Sequence, residues 1–218
     1  PEELESYIRR DTTHVETEQR PTQQEYDKYM AIVHFGKKVG WNNETIYRDG
    51  PFLMADPGIH FILLRATKDL LLLAKHLNME AAFDELQQWI DKLTQGSQWL
   101  WNDFAEGFCA RDIRTGTFSD GITNASMLCF YANVGNAEQQ EKMRSHCERI
   151  LDKCNYGFPS WDPEHKSFDK IRYWRGPVWL IMNHMISKGL LECGFDKPAH
   201  RIMNDTRMLS EKAGMAEY

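Results

Sequence analysis

Long apolar runs are absent from this 218-residue sequence. The longest candidate, Leu70 to Ala74 with its flanks, is interrupted by Lys68, Asp69 and Lys75, and it falls far short of the roughly 20 apolar residues that cross a bilayer. We interpret this stretch as a buried helix face. The amino end, Pro1 to Arg10, is charged, lacks the apolar core of a signal peptide and has no initiator Met, so we expect an internal start.

Clusters of positive charge and paired cysteines are also lacking. The net charge is -6 without a run of Lys and Arg, which argues against a nucleic acid or an anionic membrane as partner. The odd number of cysteines, without a C-x-x-C pair, favours reduced thiols in the cytoplasm over a disulfide framework or a zinc site. The histidines show no metal-ligand spacing, so we predict no metal and no cofactor. The five cysteines are Cys109, Cys129, Cys147, Cys154 and Cys193.

Helical periodicity is what the sequence does contain. Thr22 followed by Glu25 is a capping-box pattern, and it predicts a helix of about 18 residues. Asp56 and Pro57 are typical of a helix start, and a turn near Asn78 would join this second helix to an antiparallel partner. The second helix has apolar residues at spacings of three and four: Ile59, Ile62, Leu63, Ala66, Leu70, Leu73 and Leu77.

The rest of the chain repeats this hairpin pattern. Between Trp101 and Asp120 we expect a loop with a short two-stranded turn, and then a helix over Thr123–Ala132 that forms a hairpin with a helix after Asn136. Two further helices are predicted, from Val178 to near Gly194 and from Asp196 toward Met215. No fixed-period repeat is present. We therefore predict an all-α fold whose helical hairpins form part of an (α/α)6 toroid, with residues 1–218 as a single domain.

The segment from Asn155 to Arg175 is long, aromatic and proline-containing, and a connection of that length in a compact domain is usually functional. Residues 158–163, 168–169 and 173–179 concentrate Trp, Tyr, Arg and Asp. Aromatic faces pack on the C–H face of a sugar while Arg, Asp and Tyr bond its hydroxyls. An aromatic cluster that braces the loop explains the same composition, and the residues alone leave both interpretations open.

The string Tyr173-Trp174-Arg175-Gly176-Pro177-Val178-Trp179, with Asn183 one turn later, resembles glycoside hydrolase family 63. Residues 9–15, Arg20-Pro21-Thr22 through Tyr26-Asp27, and the Asp56-Pro57 helix start are similar to the bacterial and plant mannosylglycerate and glucosylglycerate hydrolases of that family. The resemblance covers nearly the whole chain. It implies the C-terminal portion of an (α/α)6 barrel that hydrolyses a glycoside with inversion, using one carboxylic acid and one carboxylate.

The same resemblance assigns one catalytic residue. Glu217, in Ala216-Glu217-Tyr218, matches the family's general base, which activates water on the face opposite the leaving group. The family's general acid lies in an Asp-Asn-Ser-Pro-like segment, and this sequence contains none. Asp11 and Asp27 match positions that are not catalytic in the family, so we expect the acid to lie outside this chain.

The resemblance also assigns a binding site for the small-molecule glycoside. Arg20, Tyr26 and Tyr173 match the residues that hold the glycerate carboxylate, and a guanidinium favours a carboxylate over a neutral sugar. Trp174 would contact the sugar, with Trp179 behind it. Arg175 would serve the site or form a structural ion pair with Asp169 or Asp162.

The function implied is hydrolysis of mannosylglycerate or glucosylglycerate to sugar and glycerate. One alternative is an oligosaccharide α-glucosidase or a trehalase-like enzyme, which would share the toroid and Trp174 but not the carboxylate-binding residues. The other is a non-catalytic helical scaffold whose aromatic loop binds a peptide. Without the resemblance, Arg20 would be a surface arginine and Glu217 an ordinary terminal residue.

Overall fold

The computed structural model describes residues 6–214, and this part of the chain is mainly helical. Its eight α-helices are α1 (Gln23–Lys38), α2 (Asn43–Asp49), α3 (Pro57–His76), α4 (Phe83–Ser97), α5 (Asn124–Ala132), α6 (Ala137–Leu151), α7 (Leu180–Glu192) and α8 (Asp196–Ala213). Its four strands have two residues each: β1 (Met54–Ala55), β2 (Trp101–Asn102), β3 (Gly107–Phe108) and β4 (Arg111–Asp112).

The helix starts follow local chemistry. At the start of α1, the Glu25 N–H donates to Thr22 Oγ1 over 3.3 Å, and the Thr22 N–H donates to the Glu25 carboxylate over 2.8 Å. The Asp56 carboxylate accepts the Ile59 N–H at the start of α3 over 2.8 Å. These bonds satisfy amides that would otherwise lack a partner in the first turn. The turn predicted near Asn78 joins α3 and α4, and Asn78 has a φ of 55° there.

Helix α5 lies at the centre of the packing. Seven of its nine residues are buried, and it packs against α3 on one side and α7 on the other. The close approach to α7 depends on Gly189, where an added Cβ would stand 2.2 Å from the backbone nitrogen of Tyr131. Helix α4 packs against α3, and α8 packs against α7, so each forms a hairpin with its neighbour in sequence.

Helix α3 corrects one expectation. The stretch from Leu70 to Ala74 was expected to be a buried face. Leu71 and Ala74 are buried, but Leu70 is 50% exposed and Leu73 is 52% exposed. The face that packs against α4 and α5 is rotated away from the predicted apolar positions, and its members are Phe61, Leu64, Leu71 and Ala74. Helix α3 is therefore apolar on two faces, and a pattern of apolar spacing does not tell which face is covered within a given chain.

In the connections between the helices, one prediction is confirmed, two elements were not predicted and one predicted hairpin is wrong. Strands β2 and β3 form the short two-stranded turn. The pairing of β1 with β4 and helix α2 were not predicted. Helices α5 and α6 follow one another, but the main partners of α5 are α3 and α7, so the expected second hairpin is only a minor contact. The segment between α6 and α7 contains no helix and none of the four strands.

All five cysteines are free thiols. Cys109, Cys129 and Cys147 are buried in the core, as expected for small apolar residues. Cys154 lies beyond the end of α6, the helix that contains Cys147. Burial raises the pKa of Cys109 and of Cys154 to about 11. Among residues 6–214, no helix combines the length and apolar character required to cross a membrane.

Candidate functional site

Two segments about 150 positions apart in sequence form the site. The Tyr173 N–H donates to the carbonyl of Gln19 over 2.9 Å, and Arg172 donates to the carbonyl of Arg20 over 2.8 Å. These bonds join the long loop before α7 to the segment that leads into α1. The loop backbone is thus held against the start of α1 independently of any ligand.

A cavity of about 290 Å³ lies at this junction. Four of the five residues predicted to bind substrate line it, namely Arg20, Tyr26, Tyr173 and Trp174. Trp179 does not line the cavity and instead packs against Trp174. The remaining lining residues are Pro21, Glu25, Tyr29, Arg172 and Arg175. Spatial proximity is therefore established for the predicted group, while the role of each residue in binding stays a prediction.

Arg20 is held in a fixed position in the cavity wall. Its guanidinium carbon lies 4.1 Å from the centre of the Tyr173 ring, and its Nε donates to Asp11 over 3.4 Å. Asp11 also accepts two bonds from Arg9, of 3.0 and 2.6 Å, and these bonds lower the pKa of the Asp11 carboxyl. Arg9 in turn lies over the Tyr26 ring at 4.5 Å. The two arginines, Asp11 and the two tyrosines form one connected cluster.

Trp174 and Trp179 form an aromatic platform at the edge of the cavity. Their rings are 4.0 Å apart between centroids and nearly parallel, with an angle of 7°. Trp174 is 42% exposed, whereas Trp179 is 7% exposed and also meets the Tyr173 ring edge-on at 5.2 Å. One face of Trp174 is thus supported by Trp179, and the exposed remainder of the ring is accessible to a ligand.

The charge of the cavity wall is positive. It contains the guanidinium groups of Arg20, Arg172 and Arg175 and one carboxylate, Glu25, which pairs with Arg175 over 2.5 Å. Burial alone would raise the pKa of Glu25, but hydrogen bonds from Thr22 and the charge of Arg175 lower it. Glu25 is therefore ionised at neutral pH. An anion in the cavity would face three guanidinium groups, each of which also pairs with a carboxylate: Arg20 with Asp11, Arg172 with Asp169 and Arg175 with Glu25.

The ion pairs proposed for Arg175 are wrong. Its partner is Glu25, not Asp169 or Asp162. Asp169 pairs with Arg172, which lies three residues later in the chain. Asp162 pairs with Arg149 of α6. The sequence did not show which of Glu25, Asp162 and Asp169 would pair with Arg175. The choice depends on long-range contacts of the loop with α1 and α6.

The loop before α7 contains both a structural part and an exposed part. Phe158 is fully buried, and its N–H and carbonyl bond the side chain of Asn183 at 2.7 and 2.8 Å. Asn183 itself is fully buried in α7. Trp174, by contrast, faces the cavity. The bracing interpretation therefore holds for Phe158, while sugar binding by Trp174 stays a prediction.

Trp174 also lines a second cavity of about 200 Å³, which sequence reasoning missed. Its lining includes Asn124, at the start of α5, and Ser160 and Trp161, in the loop before α7. Trp161 belonged to the aromatic segment, but no sequence signal distinguished Asn124 or Ser160. Within the part of the chain that the structure describes, no three His, Cys, Asp or Glu side chains are arranged to hold a metal ion. Glu217 lies outside the described residues.

Comparison with known families decides the membership of the chain. Residues 4–218 match the model of the mannosylglycerate hydrolase MGH1-like glycoside hydrolase domain. The chain belongs to this glycoside hydrolase family. Curated relatives within this family include the mannosylglycerate hydrolases of Selaginella moellendorffii, 33% identical, and of Thermus thermophilus, 34% identical. Both alignments cover the whole chain, and they cover 44% and 52% of those relatives. The chain spans about half the length of the curated relatives it matches.

Solved structures give the same family. A mannosylglycerate hydrolase of glycoside hydrolase family 63 from Thermus thermophilus superposes with a TM-score of 0.94 at 33% identity, over the whole chain and 52% of that structure. One crystal structure of that enzyme contains Tris and D-glycerate. Neutral trehalase from Saccharomyces cerevisiae, at 12% identity and a TM-score of 0.61, covers 90% of the chain and shares the fold alone. The predicted fold, an all-α portion of a six-hairpin toroid, and the family resemblance are confirmed.

Proposed function

We propose that the protein containing this chain hydrolyses mannosylglycerate or glucosylglycerate to sugar and glycerate. The observation that carries the proposal is the cavity wall in which Arg20, Arg172 and Arg175 surround the exposed Trp174. A glycerate glycoside combines an anion with a pyranose ring, and this site combines guanidinium groups with an aromatic face. The D-glycerate found with the Thermus thermophilus enzyme supports the same substrate class.

In this proposal Arg20, Tyr26 and Tyr173 hold the glycerate carboxylate. Arg20 donates charge-assisted hydrogen bonds, which are about twice as strong as neutral ones. The Tyr173 ring under the guanidinium and the Asp11 contact keep Arg20 in the wall. Pre-positioning lowers the conformational entropy that binding would otherwise cost.

Trp174 contacts the sugar ring and Trp179 supports it from behind. The parallel stack at 4.0 Å fixes the orientation of Trp174, so a pyranose meets a rigid aromatic face next to the carboxylate site.

Catalysis in this proposal is inverting. Glu217 acts as the general base, and a carboxylic acid from outside this chain protonates the leaving oxygen. Inversion requires the two carboxyl groups to be roughly 6.5 to 9.5 Å apart, so that a water fits between the base and the anomeric carbon.

The five free thiols agree with a cytoplasmic location.

The first rival is a hydrolase of neutral oligosaccharides or trehalose. Such an enzyme would use the aromatic platform, but three arginines in the cavity wall would bring no advantage with a neutral aglycone. The second rival, a scaffold that binds a peptide, predicts no hydrolysis at all. Membership in a glycoside hydrolase family disfavours it.

The test is hydrolysis by the complete protein of mannosylglycerate, glucosylglycerate and glucosylglycerol, in which the carboxylate is absent. For Arg20→Ala we expect KM for the two glycerate glycosides to rise between about tenfold and a hundredfold, since a hydrogen bond to a charged group contributes about 1.5 to 3 kcal/mol. Glucosylglycerol hydrolysis should change little. Arg48→Ala is the control, because Arg48 is exposed and pairs with Asp49 away from the cavity. Unchanged glycerate-glycoside kinetics in Arg20→Ala would contradict the proposal.

The same assay tests the base. Glu217→Gln should lower kcat by about 10² to 10⁴ with KM nearly unchanged, because a general base acts in the transition state. Hydrolysis as fast as wild type would show that another group activates the water.

A further inference from the structure

The loop before α7 lines the carboxylate cavity, which is the cavity of about 290 Å³ at the junction of this loop with α1. The loop is closed at its base, because the Ser160 N–H donates to the carbonyl of Pro177 over 3.0 Å. Residues 161–176 project from this base. One contact of the projecting part is the hydrogen bond from Tyr173 to Gln19 before α1. A second contact, near the beginning of the projecting part, is with α6.

Arg149 of α6 makes this second contact. Its two terminal nitrogens donate to both carboxylate oxygens of Asp162, over 3.1 and 2.5 Å, and one of them also donates to Glu164 over 2.7 Å. A bidentate pair of this kind fixes orientation as well as distance. Burial alone would raise the pKa of Asp162, which is 8% exposed, but the bonds from Arg149 lower it. The loop therefore contains a nearly buried carboxylate that depends on α6 for its partner.

Backbone hydrogen bonds connect Asp162 to the part of the loop that lines the cavity. The Asp162 carbonyl accepts from the His165 N–H over 3.0 Å, and the His165 carbonyl accepts from the Phe168 N–H over 2.9 Å. The Asp169 N–H then donates to the Arg175 carbonyl over 3.0 Å. The loop is thus a series of hydrogen-bonded turns, and a displacement of its first turn is passed on to the aromatic residues in the cavity wall.

His146 lies three residues before Arg149 on α6 and contacts it. Its Nε2 is 3.1 Å from the Ala105 carbonyl, so this nitrogen carries the proton. Its Nδ1 is 3.5 Å from Arg149 Nη2 and is therefore the acceptor in that contact. A second proton on His146 would bring two donors and two positive charges face to face. Burial and the charge of Arg149 lower the pKa of His146 accordingly.

The carboxylates near His146 do not offset this repulsion, because each of them is already paired with a cation. Glu106 of the β2–β3 turn pairs with Lys142, and the two loop carboxylates pair with Arg149. The charged groups around His146, from α6, the β2–β3 turn and the loop, are Lys142, Arg149, Glu106, Asp162 and Glu164.

We propose that Arg149 is a positioning residue for the carboxylate cavity: its contact with Asp162 holds the loop that lines the cavity wall, and His146 makes that contact sensitive to acid. Arg149 itself does not line the cavity. The inference rests on the proposed function, since it concerns the same carboxylate site. Because the pKa of His146 is lowered in the folded protein, the contact is complete above the ordinary value of 6.5 and is lost as the pH falls through the lower folded value.

The experiment compares Arg149→Met with the wild type in the complete protein. Hydrogen exchange of peptides within residues 161–175 measures the loop without any ligand, and calorimetric titration with D-glycerate measures the cavity. We expect the loop amides of the variant to exchange at least about tenfold faster, and Kd for D-glycerate to rise by about threefold to tenfold. Arg149→Lys keeps the charge but not the bidentate geometry, so its values should lie between those of the wild type and Arg149→Met.

Arg144→Met is the matched control. Arg144 lies on the same helix, but its partners, Glu141 and Glu148, also belong to α6. This variant removes a guanidinium group and two ion pairs without a change in any contact of the loop. It should lower the thermal midpoint slightly and leave both the loop exchange and the affinity for D-glycerate unchanged.

The pH profile distinguishes positioning from a general structural role. Between about pH 7.5 and about pH 5.5, loop exchange of the wild type, corrected for the intrinsic pH dependence of exchange, should accelerate as His146 gains a proton. His146→Gln should abolish the acceleration, because a glutamine amide still donates to the Ala105 carbonyl but does not titrate. Arg149→Met should abolish it too, since the charge that opposes the second proton is then absent.

Three results would overturn the inference: loop exchange and D-glycerate affinity in Arg149→Met equal to those of the wild type, equal acceleration of exchange in peptides of α5, or an acid acceleration that persists in His146→Gln. Its failure is separable from that of the proposed function. Glycerate-glycoside hydrolysis by the wild type, with unaltered loop exchange and affinity in Arg149→Met, overturns the inference alone. The expected loop exchange without D-glycerate binding or hydrolysis overturns the proposed function alone.

Discussion

Replacement of Glu25 by Gln tests whether charge or geometry governs the carboxylate cavity. Glu25 is the one carboxylate in a wall with three guanidinium groups, and it pairs with Arg175. Gln at the same position keeps the capping box with Thr22, because a glutamine side chain also accepts the Thr22 N–H bond. The change therefore removes one negative charge while it retains the start of α1.

The expected effect is tighter binding of D-glycerate. A sphere of the cavity's volume has a radius of about 4 Å, so a bound carboxylate lies about 6 Å from Glu25. Repulsion over about 6 Å amounts to roughly 0.7 kcal/mol in water and roughly 2.8 kcal/mol at an effective dielectric constant of 20. Glu25 is 23% exposed, which places the effect toward the lower end. We expect Kd to fall by about threefold to tenfold.

The free energy of unfolding should decrease in Glu25→Gln, although the affinity for D-glycerate increases. The Glu25–Arg175 pair is partly exposed, so its loss should lower the free energy of unfolding by at most about 1 kcal/mol. The pKa of Glu25 is lowered in the folded protein, so this stabilisation is present above the ordinary pKa of 4.5 and is lost as the pH falls through the lower folded value. The difference in stability between wild type and variant should therefore vanish in acid.

Calorimetric titration of the complete protein with D-glycerate, at two salt concentrations, measures the effect. Glu106→Gln is the control, because Glu106 pairs with Lys142 and does not line the cavity. The gain in affinity should shrink at high salt, and methyl α-D-mannopyranoside should bind both proteins equally. Unchanged or weaker D-glycerate binding in Glu25→Gln would refute the reasoning, because the ion pair would then matter by positioning Arg175.

Two further predictions concern the packing that supports the site. Asn183→Ala leaves the buried N–H and carbonyl of Phe158 without their side-chain partner, so the free energy of unfolding in urea should fall by about 2 to 5 kcal/mol; a loss below about 1 kcal/mol would contradict this. Gly189→Ala forces a Cβ to within 2.2 Å of the Tyr131 nitrogen, so it should cost about 3 kcal/mol or more in the same measurement. Gly96→Ala, where the nearest atom is 3.4 Å away, should cost nothing or stabilise α4, and equal losses at the two glycines would disprove the packing argument.

The sequence determined the helices because their signals are local. The capping box at Thr22, the Asp56-Pro57 start and the left-handed turn at Asn78 each involve residues within one or two turns of one another. The family, too, was readable in sequence, since the string from Tyr173 to Trp179 lies in one segment. These predictions held because no distant contact is needed to form or to identify them.

Elements that depend on distant partners were harder to predict from the sequence. Strand β1 pairs with β4 more than fifty residues later, and each has two residues, too few for an alternating pattern. Helix α2 has seven residues and little periodicity of its own. The buried face of α3 was hidden for another reason, because both of its faces are apolar and packing against α4 and α5 selects one of them.

In the site, too, some features were predictable from the sequence and others depend on tertiary structure. The sequence, through its family resemblance, brought Arg20, Tyr26 and Tyr173 together as a group, and tertiary structure then supplied the shared cavity and the pairing of Arg175 with Glu25. The second cavity is a product of tertiary structure alone. Asn124 and Ser160 belong to different elements, and they differ from other buried polar residues by a missing hydrogen bond. Such a property exists after the chain has folded, because it depends on which atoms come within reach of one another.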